Sequence, residues 1–133
     1  MAPFHAVYYR APDGTEPVRD FLDALSDEVA ASLALQIERL NMLSDDLPHL
    51  PFPHSSQVDG ELRELRCHHG RQLFRILYRR SGSLLVLLHV FSKRTAKIPA
   101  SEIKAANQRW DDFKKRMDAN PRRPPRVAGH DAP

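Results

Sequence analysis

Apolar positions along the chain follow two periods, and each change of period marks a new element. The opening "FHAVYYR" is short, aromatic and β-branched, which predicts a first strand, and the turn-rich "APDG" stops it. Thr15 stands ahead of a helix with Pro17 in its first turn, where a missing N–H is harmless, and Val18, Phe21, Leu22 and Leu25 keep the 3.6-residue period. Ser26, with Val29 one turn later, opens a second helix. There Val29, Leu33, Ile37 and Leu40 form one stripe, and Glu28, Glu38 and Arg39 lie off it. The two helices are expected to pack as a pair.

"DDLPHLPFPHSS" holds three prolines within six residues and sustains neither a helix nor an inner strand, so it reads as an extended connector that "DG" at 59–60 turns into the next element. Period two then predicts three strands, "ELRELRC", "QLFRILYRR" and "LLVLLHVF", the last two joined by a Ser-Gly hairpin turn at 81–82. The third is uncharged from Leu84 to Phe91 and apolar on both faces, which places it inside the sheet. Pro99 opens a last helix in which Ile103, Ala106, Trp110, Phe113 and Met117 recur at spacings of 3, 4, 3 and 4, a stripe for core or partner contact.

After Asn120, "PRRPPRVAGHDAP" has little to bury. The pattern therefore predicts one domain over residues 1–118 and a disordered Pro/Arg-rich tail over 119–133. The fold class is α+β in the order β-α-α-β-β-β-α, with two N-terminal helices and a C-terminal helix packed on a small antiparallel or mixed sheet.

Composition changes this picture in three ways. The single cysteine, Cys67, excludes an internal disulfide framework and a cysteine-based zinc cage, and fits a small buried thiol in a reducing compartment. No charged leader with an apolar run opens the chain and no apolar run reaches transmembrane length, so a soluble cytoplasmic protein is expected. The net charge of +3 hides a division: residues 1–60 hold 3 basic and 10 acidic residues, net −7, and residues 61–133 hold 17 and 7, net +10. A nucleic acid would meet the basic half; alternatively the two halves attract each other or a partner protein.

Alternation puts Glu64, Arg66 and His68 on one face of the second strand, with Leu65 and Cys67 on the other. In the third strand Arg75 shares its face with Leu73 and Leu77, while Phe74, Ile76 and Tyr78 point the other way. A guanidinium among leucines cannot shed its charge and needs a partner. Either Glu64 pairs with it, or Arg75 waits at a groove edge for a phosphate, whose oxygens its planar fork fits. Lys93, Arg94 and Lys97 then run off the end of the sheet beside Arg66 and Arg75, and together these cations would make a concave basic surface.

None of the 7 histidines falls in a metal-binding pattern. His68 and His69, next to Gly70, are placed to act as exposed acid or base, whereas His89 alternates with Leu87 and Phe91 and reads as a core residue bonded to a neighbour. No Walker loop, GxGxxG or GxSxG is present, so nucleotide hydrolysis and acyl transfer have no support.

"ELRELRCHHGRQLFRILYRRSGSLLVLLHVFSKRTAKIP", followed by an amphipathic helix, resembles the toxins of type II toxin-antitoxin modules in the RelE/ParE superfamily, and within it the phage-derived, HigB-like branch. The resemblance spans residues 5 to about 117, with its specific part at 61–99. It rests on an "LR" strand, on Phe74-Arg75-Ile76-Leu77-Tyr78, and on the "HVFSKRTAKIP" ending, in order and at hairpin spacing.

The resemblance implies a RelE-like microbial ribonuclease fold and mRNA cleavage, usually in the ribosomal decoding site. It also implies inhibition by a helix-turn-helix, HigA-like antitoxin, with no metal, small-molecule cofactor or membrane partner. Carried over by residue, Arg75 and Arg94 bind and stabilise the scissile phosphate, and Arg66 and Lys93 contact phosphate or ribosomal RNA. Lys97 lies in the motif with its role open. Arg63, Arg71 and Arg79 are expected as further RNA contacts. Several members place a tyrosine or histidine near the C-terminus; after Pro99 this chain has only His130. The proton-transfer group is therefore one of His68, His69, Tyr78, Lys93 or Lys97. Some superfamily members attack DNA gyrase instead, and a degenerate member would survive only in an autoregulatory DNA complex.

Overall fold

The computed structural model of the chain describes residues 3–92 and 97–119. In order they form β1 (His5–Tyr8), α1 (Pro17–Asp23), α2 (Asp27–Leu40), β2 (Ser55–Asp59), β3 (Leu62–His69), β4 (Gln72–Ser81), β5 (Leu84–Ser92) and α3 (Ala100–Ala119). Of the tail expected over 119–133, Ala119 closes α3 and the rest lies outside the described residues.

The strands make one mixed sheet in the order β1-β5-β4-β3-β2. From β2 to β5 the chain is an antiparallel meander, and β1 closes the far edge parallel to β5, with His5 opposite Leu84 and Tyr8 opposite Leu87. The α+β class and the inner position of the apolar β5 are as the pattern predicts. One element differs. The end of the supposed connector, Ser55–Asp59, is an edge strand paired with β3, Ser55 opposite Leu65 and Gln57 opposite Arg63. Its residues "SSQVD" lack the apolar alternation of an inner strand because an edge strand can meet water along one side. The Asp59-Gly60 turn that joins it to β3 puts Gly60 at φ +58°, where a side chain would be strained.

Helices cover both faces. On one, Val18 and Leu22 of α1 and Leu33, Ile37 and Leu40 of α2 pack on Leu65, Cys67, Phe74, Ile76 and Tyr78. The N-terminus of α2 is capped by Ser26, whose hydroxyl oxygen accepts from the Val29 amide at 3.4 Å. On the other face, Ala106, Trp110 and Phe113 of α3 pack on Val7, Leu77, Val86 and Leu88. Each large side chain buried here is worth about 2 kcal/mol in water-excluded area.

A bulge between β4 and β5 alters the expected facing of β5. Leu77 is opposite His89 but Tyr78 is opposite Leu87, so the ladder skips Leu88. Strict alternation would put Leu87, His89 and Phe91 on one face. Instead Leu87 joins the core under α1 and α2, while Leu88 and Phe91 join the core under α3.

Candidate functional site

The β3–β4 register sets Arg66 opposite Arg75, Glu64 opposite Leu77 and His68 opposite Leu73, all on the sheet face that α3 partly covers. Two guanidiniums across a ladder repel unless a counter-charge lies between them. Glu64 supplies it: its Oε1 is 3.3 Å from Arg75 Nε and 3.7 Å from Arg66 Nε. The ion pair weighed for Arg75 against phosphate binding is therefore present. Arg75 is 2% exposed and Glu64 5%, whereas the Arg66 side chain keeps 21% of its surface. Arg66 is the member of the cluster open to a ligand.

Backbone contacts fix that arginine. The Arg66 amide donates to His54 O at 2.8 Å, and Gln36 of α2 donates its side-chain amide to Arg66 O at 3.0 Å. Its guanidinium carbon lies 5.8 Å from the ring centre of Phe52, an exposed aromatic on the connector.

The sheet divides the remaining candidates. His68 is exposed on the face of Arg66 and Arg75. His69 turns to the opposite face, with Nδ1 2.9 Å from Ser32 Oγ and Nε2 3.9 Å from Glu28. Tyr78 is buried on that opposite face, its hydroxyl 2.8 Å from Ser55 Oγ, and Arg63 lies beside it, donating Nε–H to the same Ser55 oxygen at 3.3 Å. Arg79 shares the Arg75 face but sits 4.5 Å over the Trp110 ring with Nη2 2.9 Å from Glu61. Arg71 is exposed in the β3–β4 turn, and Lys97 is exposed just ahead of α3. Lys93 and Arg94 lie outside the described residues.

The neighbours of His89 are Arg109 and Glu102 of α3. Its Nδ1 is 2.8 Å from Arg109 Nη1, which can only donate, so Nε2 carries the proton and donates to Glu102 Oε1 at 2.9 Å. Arg109 also donates to Leu88 O at 2.9 Å, and burial draws its guanidinium below the usual arginine range. The network ties α3 to the bulge in β5. Its signal in the sequence was the seven-residue spacing of Glu102 and Arg109, two turns apart on one helix face.

Among the described residues no cluster of three His, Cys, Asp or Glu side chains is arranged to hold a metal ion, and no helix is long and apolar enough to cross a membrane.

Residues 20–111 match the model of a family described as "Phage derived protein Gp49-like". Two curated relatives, each named "Probable endoribonuclease HigB1", come from Mycobacterium tuberculosis strains CDC 1551 / Oshkosh and ATCC 25618 / H37Rv. Each is 29% identical to this chain over 115 residues, which cover 86% of this chain and 88% of the relative.

Proposed function

The chain belongs to the phage-derived Gp49-like family, and from that premise we propose that it is an endoribonuclease, the toxin of a type II toxin-antitoxin pair of the HigB-like kind. It would cut mRNA on the ribosome in the cytoplasm and be neutralised by a helix-turn-helix antitoxin. The name of the mycobacterial relatives supports the activity, and the Arg66–Glu64–Arg75 cluster is the observation that carries it to this chain.

RNA holds its own nucleophile. The 2′-hydroxyl attacks the adjacent phosphorus, the 5′ oxygen leaves, and the products are a cyclic phosphate and a free 5′-hydroxyl. What the protein must supply is charge against the crowded phosphorane and a group to move protons. Arg66 meets the phosphate from the open side, and Arg75 adds its charge from beneath while Glu64 lies between the two guanidiniums as their counter-charge. His68, exposed on the same face, is the proton-transfer group of this reading; His69 and Tyr78 lie across the sheet and are left out of it. Arg94, Lys93 and Lys97 complete the site on the strength of the motif match.

The test is to express the chain without its antitoxin and map mRNA 5′ ends. Cuts in phase with codons are expected. Intact mRNA with broken chromosomes would replace this reading with a gyrase-directed toxin.

A further inference from the structure

Across the sheet from Arg75, past the C-terminal end of α2, lies a second cationic site. A cavity of about 390 Å³ opens between the 48–49 segment, the β2–β3 turn and the ends of β4 and β5, with Arg63, Arg80, His49 and Tyr78 around it. That volume is within the small-ligand range of roughly 300–1,000 Å³. Leu85 and Pro48 supply apolar wall.

The charges do not cancel. Glu61, at the rim, is engaged by Arg79 at 2.9 Å, and Asp45 binds Arg80 at 2.8 Å. Arg63 makes no ion pair among the described residues. His49 senses the result: desolvation first, then the positive fields of Arg63 and Arg80, hold its imidazole below the usual histidine range.

Tyr78 lines the cavity and Ser55 stands behind it. Arg63 Nε–H donates to Ser55 Oγ, and Ser55 Oγ and Tyr78 OH share one hydrogen bond at 2.8 Å. Whichever hydroxyl donates in that bond, the proton of the other is left over. Arg63, with no acidic partner among the described residues, faces the cavity beside Arg80, whose charge is shared with Asp45 and whose Nε–H goes to Gly82 O, and beside Tyr78; the one uncompensated positive charge calls for an acceptor bearing negative charge.

We infer that this cavity binds a phosphate group, its oxygens taken by Arg63, Arg80 and the Tyr78 hydroxyl, at a site separate from the cleavage face. The phosphate belongs either to a free nucleotide or to a nucleic-acid strand. The remaining volume beside Leu85 and Pro48 takes the attached sugar.

The test follows the His49 ring signals by NMR in the full-length chain while inorganic phosphate is added at constant ionic strength with chloride as balance. A saturable shift is expected, at least tenfold weaker in Arg63→Gln and in Arg80→Gln and unchanged in Arg66→Gln. Tyr78→Phe removes only a hydroxyl and keeps the test open if an arginine variant fails to fold; it should also weaken the shift. Displacement of phosphate by a short 2′-deoxy strand identifies a strand as the source, and displacement by adenosine monophosphate alone identifies a free nucleotide. No saturation in wild type, equal affinity in the variants, or a response to polyglutamate but not to phosphate overturns the inference.

Discussion

Arg75 Nε stands 3.3 Å from Glu64 Oε1, diagonal neighbours on β4 and β3, and the pair is almost fully enclosed. A buried pair of this kind adds little over an apolar replacement, but removing Arg75 leaves the buried Glu64 carboxylate with only the longer 3.7 Å contact to Arg66 among the described residues. Arg75→Ala is therefore expected to lower unfolding stability by about 3 kcal/mol, and Glu64→Gln with Arg75→Met to recover more than half of that loss. Urea unfolding of the three proteins measures both. A double variant no better than the single one would show that the under-compensated carboxylate is not the cause. Loss of toxicity in Arg75→Ala counts for catalysis only beside this stability measurement.

Arg66 separates function from folding more cleanly. Its side chain is partly open and only 3.7 Å from Glu64, so Arg66→Gln should cost under about 1 kcal/mol of stability. A lost charge-assisted contact to phosphate is worth about 1.5–3 kcal/mol, which predicts roughly a 10- to 100-fold fall in RNA cleavage. The same rate in both proteins would take Arg66 out of the site.

The sheet also distinguishes the two adjacent histidines. His68→Gln should slow cleavage by about 100-fold or more, the ordinary worth of a proton-transfer group. His69→Gln alters a contact with Ser32 on the far face and should change the rate by a few-fold at most. Single-turnover cleavage of a short RNA reads the contrast, and the reverse ranking would move the chemistry to the other face.

The fold was legible where burial writes a period into the sequence. Leu33, Ile37 and Leu40, and Ala106, Trp110 and Phe113, mark the buried faces of α2 and α3 as the spacing predicts. β2 was not legible, because an edge strand such as Ser55–Asp59 buries too little to alternate. The bulge at Leu88 was hidden as well: β5 is apolar on both faces, so a change of phase leaves no trace in residue type. For the site, alternation grouped Glu64, Arg66 and His68 on one face of β3 and set Arg75 apart from Tyr78 on β4, and the β3–β4 register then joins Arg75 to the first group. It could not say that Arg63 and Arg80 would meet His49, since that junction depends on where the proline-rich connector lies.

Cys67 gives a reading on the core beneath α2. It is 2% exposed, and burial pushes its thiol up to about 12, so almost no thiolate exists at neutral pH. Alkylation by iodoacetamide at pH 8 should proceed at the rate of opening rather than that of a free thiol, and denaturant should restore the full rate. Rapid labelling of the folded chain would show that α2 does not seal the sheet.

Tyr9 and Asp112 make stability depend on pH at the alkaline end. The buried Tyr9 hydroxyl donates to Asp112 Oδ2 at 2.7 Å. Burial first, and then the bond and the charge of Asp112, raise the phenol from 10.0 to about 12, with Arg116 opposing. A folded-state value above the unfolded one means that this stabilisation is complete below pH 10 and is lost as pH rises toward 12. The two-unit interval corresponds to at most about 2.7 kcal/mol. Unfolding free energies at pH 8, 10 and 11.5 should therefore fall more steeply for wild type than for Tyr9→Phe, which has no proton to lose there. Parallel curves would place the phenol's titration where it is in the unfolded chain, and would remove Tyr9 and Asp112 as a clasp between α3 and the segment that follows β1.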